Sequence, residues 1–134
     1  MTTIRQSARE AAAAALSALN RFYAVKPHAV RALGGQSPLA VAVGRRQRLE
    51  GGVRGGAPSL ADCDLLLTLY VRCDLGTEAD AENLLDTLTS ESLVALAAAG
   101  FEVGETEAMP SNAILHDYDG ILYRVERVPL TWRG

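Results

Sequence analysis

Four arginines, Arg45, Arg46, Arg48 and Arg54, stand in the stretch GRRQRLEGGVRGG (residues 44–56) with one acid, Glu50, and five glycines. Guanidinium groups at this density hold phosphates or a partner's carboxylates, because each presents a planar fork of donors. No Phe, Tyr or Trp lies between Arg31 and Pro58, which argues against stacking on single-stranded bases. Three uses stay open: contact with a protein partner, contact with a nucleic-acid backbone, or a solvated basic loop. A second candidate closes the sequence, where Trp132, the sole tryptophan, precedes Arg133. An aromatic beside an arginine is a common interface anchor. The alternative is an indole folded back on its own sheet.

The residues that catalysis would need are sparse. His28 and His116 are the only histidines, and neither H-E-x-x-H nor C-x-x-C occurs. The serine stretches GGQSP and GAPSL are not a G-x-S-x-G nucleophile elbow. GGVRGG lacks the G-K-[ST] ending of a phosphate loop and stands between two strand patterns instead of opening a helix. His116, Asp117 and Asp119 fall in a hairpin turn, where Asp and Gly are expected for backbone reasons. Asp62 and Asp64 flank Cys63 at a strand start. The expectation is no catalytic residue, no metal site and no cofactor: a non-enzyme. Cys63 and Cys73 are ten residues apart on one strand pattern, hence about 33 Å apart when extended. A disulfide needs about 7 Å, so both are expected as buried thiols.

These residues need a scaffold. The 134 residues are the size of one domain, taken as 1–134, with a hydrophobic fraction of 49% and charged residues at 22%. Apolar runs break before the roughly 18 residues that a membrane helix needs, and the start, MTTIRQSARE, has no apolar signal-peptide core. Net charge is −3, but residues 1–56 carry nine basic against two acidic residues while residues 57–134 carry four against fourteen. Two faces of opposite potential are one consequence; mixing of the charges by interleaved strands is the other.

The elements follow from periodicity. Thr3 and Gln6 form a T-x-x-Q capping pattern, after which Ile4, Ala8, Ala11, Ala12, Ala15, Leu19 and Phe22 share one helical stripe. That helix is expected to reach about Asn20–Tyr23. Residues 24–38 read as a connector, and 39–44 (LAVAVG) as a strand. Residues 44–57 read as an extended basic loop with a mobile backbone. CDLLLTLYVRC (63–73) alternates with period two, its odd positions all apolar. A helical region at 78–99 starts at Thr77, with a break expected at Thr89-Ser90, and Gly100 closes it. Residues 113–116 and 121–130 form a hairpin across Asp119-Gly120, with Pro129 ending the strand or marking an edge. The fold class is α+β: a mostly antiparallel four-stranded sheet, with an N-terminal helix and a second helical region packed on one face.

This order resembles the tail terminator proteins of long-tailed (siphophage-like) bacteriophages and related phage-derived particles. The resemblance covers nearly the whole chain. It rests on the N-terminal helix, PLAVAVG followed by a long loop, DLLLTLYVRC running into TEADAENLLDTLTSESLVALAAAGFEVG, and the ending DGILYRVERVPLTW. It implies a structural virion protein: a ring, usually a hexamer, that caps the head-proximal end of the tail tube and joins it to the head connector. It also implies assembly in the host cytoplasm and DNA passing through the lumen, with the tail tube protein and a connector or neck protein as partners. The family brings no catalytic residues. The basic loop would then reach a neighbouring subunit, a stacked ring or the lumen wall. A neck or head-completion adaptor of the same kind of particle is the nearest alternative. A small cytosolic enzyme or ligand-binding α+β domain is the alternative of another class.

Overall fold

The computed structural model describes residues 3–30, 33–51, 58–74, 76–108, 115–116 and 121–132. Helix α1 spans Ile4–Ser17, β1 Ala24–Lys26, β2 Leu39–Gly51, β3 Pro58–Arg72 and α2 Glu78–Ala98. Four further strands follow: β4 Glu102–Val103, β5 Glu107–Ala108, β6 Leu115–His116 and β7 Leu122–Trp132. The sheet runs β1-β2-β3-β7-β4, with β5 and β6 also on β7. Every pairing is antiparallel except β1 with β2. The α+β class with two helices on one face therefore stands, but the sheet is mixed and has more than four strands.

Small side chains decide how α1 packs. Its buried stripe is Ala8, Ala12 and Leu16, and it lies over Ala40 and Ala42 of β2 and the odd residues of β3. Alanine facing alanine lets helix and sheet backbones approach closely. Gly44 continues this: a Cβ there would collide with the Cγ and Cδ of Arg5, whose Nη1 donates to the Arg45 carbonyl at 3.0 Å. Thr3 caps the helix, its Oγ1 accepting from the Gln6 amide at 3.1 Å. The Gln6 side chain turns to Glu10 instead of completing the box. α1 ends at Ser17, short of the expected Asn20–Tyr23, because Asn20 adopts a left-handed φ of 55°.

α2 is one unbroken helix, contrary to the break expected at Thr89-Ser90. The Thr89 hydroxyl donates to the Leu85 carbonyl at 2.8 Å, so the polar side chain is satisfied within the helix. The helix ends in a Schellman motif: Gly100 takes φ 95°, its amide donates to Ala97, and the Phe101 amide donates to Leu96 at 3.0 Å. Phe101 and Leu96 are both buried in the main core.

Cys63, Leu65, Leu67, Leu69 and Val71 of β3 face the helices in that core with Leu85, Leu88, Val128 and Leu130. The opposite face is not open along its whole length. Leu33 of the connector covers Leu39, Val41, Tyr123 and Val125 in a second cluster, and Tyr70 meets Tyr123 edge-on at 6.1 Å. Part of the expected connector is itself strand β1, parallel to Leu39–Val41. Pro129 neither ends β7 nor lies at an edge; it pairs with Leu66 inside the sheet. Its carbonyl accepts from Gly104 at 2.9 Å, where the ladder passes from β4 to β5. The missing N–H points to that same interruption, so no β3 bond is lost.

Candidate functional site

The arginines of residues 44–57 do not begin a loop. β2 continues through Arg45, Arg46 and Arg48 to Gly51 and pairs with β3 from Pro58. Register shifts fall between Gly44 and Gln47 and between Arg48 and Leu49. The period-two pattern stops at Gly44 because the bulges break the alternation and the strand leaves the core there, so apolar periodicity has no reason to persist. The expected extended loop is thus corrected to a bulged ribbon whose tip, 52–57, lies outside the described residues along with Arg54. β7 joins β3 only from Cys63 onward. Among the described residues, the ribbon beyond that point has only its own two strands.

Arg45 and Arg46 are exposed. Arg48 lies on β2, in register with Asp62. Trp132 ends β7, half-buried and stacked on Phe101 with ring centroids 6.2 Å apart and planes 27° apart. Much of the indole is thus held by its own chain. Arg133, like the turn with Asp117 and Asp119, lies outside the described residues. Asp64 accepts from the Thr131 hydroxyl at 3.0 Å. Cys63 and Cys73 are both buried free thiols, and burial pushes the Cys73 thiol up.

Among the described residues, two of the clefts hold about 290 Å³ each. The first opens beside the start of α2 and is lined by Ser37, Arg72, Thr77 and Asp80. Its Arg72 grips Asp74 through two bonds, 2.9 and 2.7 Å, and this holds the Asp74 carboxyl below its ordinary range. The second lies across the face away from the helices, lined by Arg45, Leu66, Glu105, Glu107, Arg127 and Pro129. Both fall at the small end of ligand pockets. Among the described residues, no group of three or more His, Cys, Asp or Glu is placed to hold a metal ion, and no helix is long and apolar enough to cross a membrane.

The sequence reading missed one feature. Glu126 sits mid-β7, in register with Leu69, and therefore turns toward α2. It is only 7% exposed, and among the described residues its Oε2 has no hydrogen-bond partner. Burial, then the charges of Asp86 and Glu107, push its carboxyl above the ordinary value. Arg124, two residues earlier on the same face, reaches Glu82 of α2 at 3.6 Å. The polar pair Arg124 and Glu126 on an otherwise apolar alternation was the available signal.

Because the folded state holds the Glu126 proton more tightly, this group's stability contribution is full below its unfolded value of about 4.5. It is lost as pH rises through the raised folded value. Asp74 works oppositely, losing its contribution only as pH falls below about 3.8. Glu126→Gln should therefore melt higher than the wild type at pH 7.5, with the gain shrinking as pH approaches 4.5. A thermal melt series across pH 4.5–8 checks this; a gain that does not vary with pH would contradict it.

Neither a scan against protein-family models nor a search of curated proteins finds a match to this chain.

Proposed function

We propose that this chain is a structural subunit of a phage-like particle, a tail terminator that forms a ring, with six subunits as the expected number. The ring caps the head-proximal end of the tail tube and joins it to the head connector. The observation that carries the reading is the ribbon of β2 and β3 that runs past the end of β7, with Arg48 on it and Arg45 and Arg46 in the bulge at its base. A two-stranded ribbon alone is marginally stable in water, so this one gains order from a partner. Glu50 is the one acid in residues 44–56 and Asp62 is in register with Arg48, whereas Arg45 and Arg46 are exposed in the bulge, so for these two the partner supplies carboxylates or phosphates. The element order around the ribbon supports the same reading, as does a domain whose basic and acidic residues are divided along the chain. A neck or head-completion adaptor uses the same features in a different place in the particle.

Electron micrographs of the purified protein, alone and mixed with tail tubes, test the proposal. Closed rings, free or at one end of each tube, are expected. Monomers or two-fold dimers on the assembled tube would refute it.

A further inference from the structure

We infer that Asp86, with Glu82 beside it and Glu126 behind it, receives Arg45 and Arg46 of a second copy of this chain. The inference rests on the ring reading for its occupant and adds the acceptor surface. Glu82, which already reaches Arg124 at 3.6 Å, and Asp86 stand four residues apart on α2, one turn along the same helix face, and both are exposed. Glu126 presents a carboxylate from β7 on the side that α2 covers, more than nine-tenths buried, with Oε2 unpartnered among the described residues. A buried carboxylate oxygen without a donor is costly. An approaching guanidinium supplies the missing positive charge and meets Asp86 at the surface.

Donors of the right kind lie on the far side of the same subunit. The side chains of Arg45 and Arg46 form no hydrogen bond or ion pair with the described residues, and both are exposed. In the sheet, β3 separates β2 from β7. Arg45 lines the cleft on the face away from the helices, with Glu105 and Glu107 of its own subunit, whereas Glu82 and Asp86 stand on α2 over the other face. A ridge on one face that fits a seam on the other makes a head-to-tail contact, which closes into a ring when the rotation allows. Charge complementarity selects a second copy of the chain over a nucleic acid at this seam, since phosphates would be repelled by it.

The test is sedimentation velocity at low salt on four full-length proteins: the wild type, Asp86→Lys, the pair Arg45→Glu and Arg46→Glu, and the combination of all three changes. Asp86, Arg45 and Arg46 are exposed, so melting temperatures should stay near that of the wild type. Each parent variant should associate about ten-fold or more weakly, because like charges then face each other. The combination restores opposite charges with the signs exchanged and should recover most of the association. A wild type that remains monomeric overturns the inference. So does an Asp86→Lys protein that associates normally, or a combination no better than its parents. Rings in micrographs of Asp86→Lys would sink this contact and leave the ring standing, whereas tail tubes without any closed oligomer would sink the ring.

Discussion

Replacing Arg45, Arg46, Arg48 and Arg54 together by serine is expected to abolish most ring formation while leaving the melting temperature of the isolated domain nearly unchanged. The two effects separate because Arg45 and Arg46 sit outside the core. Arg45 and Arg46 are exposed, and neither appears in the buried clusters around β3. Isolated surface charges contribute little to stability, commonly 0–1 kcal/mol. At an interface the account differs. Ordering a backbone residue costs about 1–2 kcal/mol, and a two-stranded ribbon does not recover this alone. The partner contacts must offset the cost, and charged contacts are the ones this sequence offers. Wild-type assembly should weaken as salt rises, since screening removes the charged attraction, and the residual assembly of the four-serine protein should respond to salt much less. Counting joined particles, or tubes of regulated length, against added protein checks the result. Normal yield from the four-serine protein would reduce the arginines to solvated charge.

Leu67→Ala is expected to cost about 2–5 kcal/mol of stability. Leu67 is fully buried on the face of β3 that meets both helices, and it pairs with Ala42 on one side and Val128 on the other. Its removal leaves a cavity bounded by strand backbones that cannot close in. A small domain has about 5–15 kcal/mol in total, so the midpoint should fall by roughly 10 °C. Leu66→Ala supplies the control. Leu66 is half-buried and lines the open cleft beside Arg45 and Arg127, so its loss should be well under that of Leu67. Equal shifts in a denaturant melt would mean that both faces of the strand are equally closed.

Local signals carried much of this fold in the sequence. Thr3 and Thr77 were legible as caps because a side-chain oxygen satisfies a nearby amide regardless of what surrounds the helix. Gly100 was legible because a left-handed residue must follow the last turn. The period-two pattern of 63–73 marked the core face of β3, since alternation is a property of the extended backbone itself. The arginine cluster at 45–54 was equally plain as a cluster.

What tertiary structure decided depends on partners far away in sequence. Arg45, Arg46 and Arg48 lie on a strand because β3 runs beside β2 as far as Pro58, and the register shifts between Gly44 and Gln47 and between Arg48 and Leu49 erase the alternation that would have revealed it. β1 is a strand only because Leu39–Val41 lies parallel to it. Glu126 shows the limit most clearly. Alternation placed it with Leu122 and Arg124 on one face of β7, but not which face a helix would cover. That choice belongs to the register of β7 on β3 and to the docking of α2 over it. Sequence alone set the charge on Glu126; burial against α2 made that charge costly.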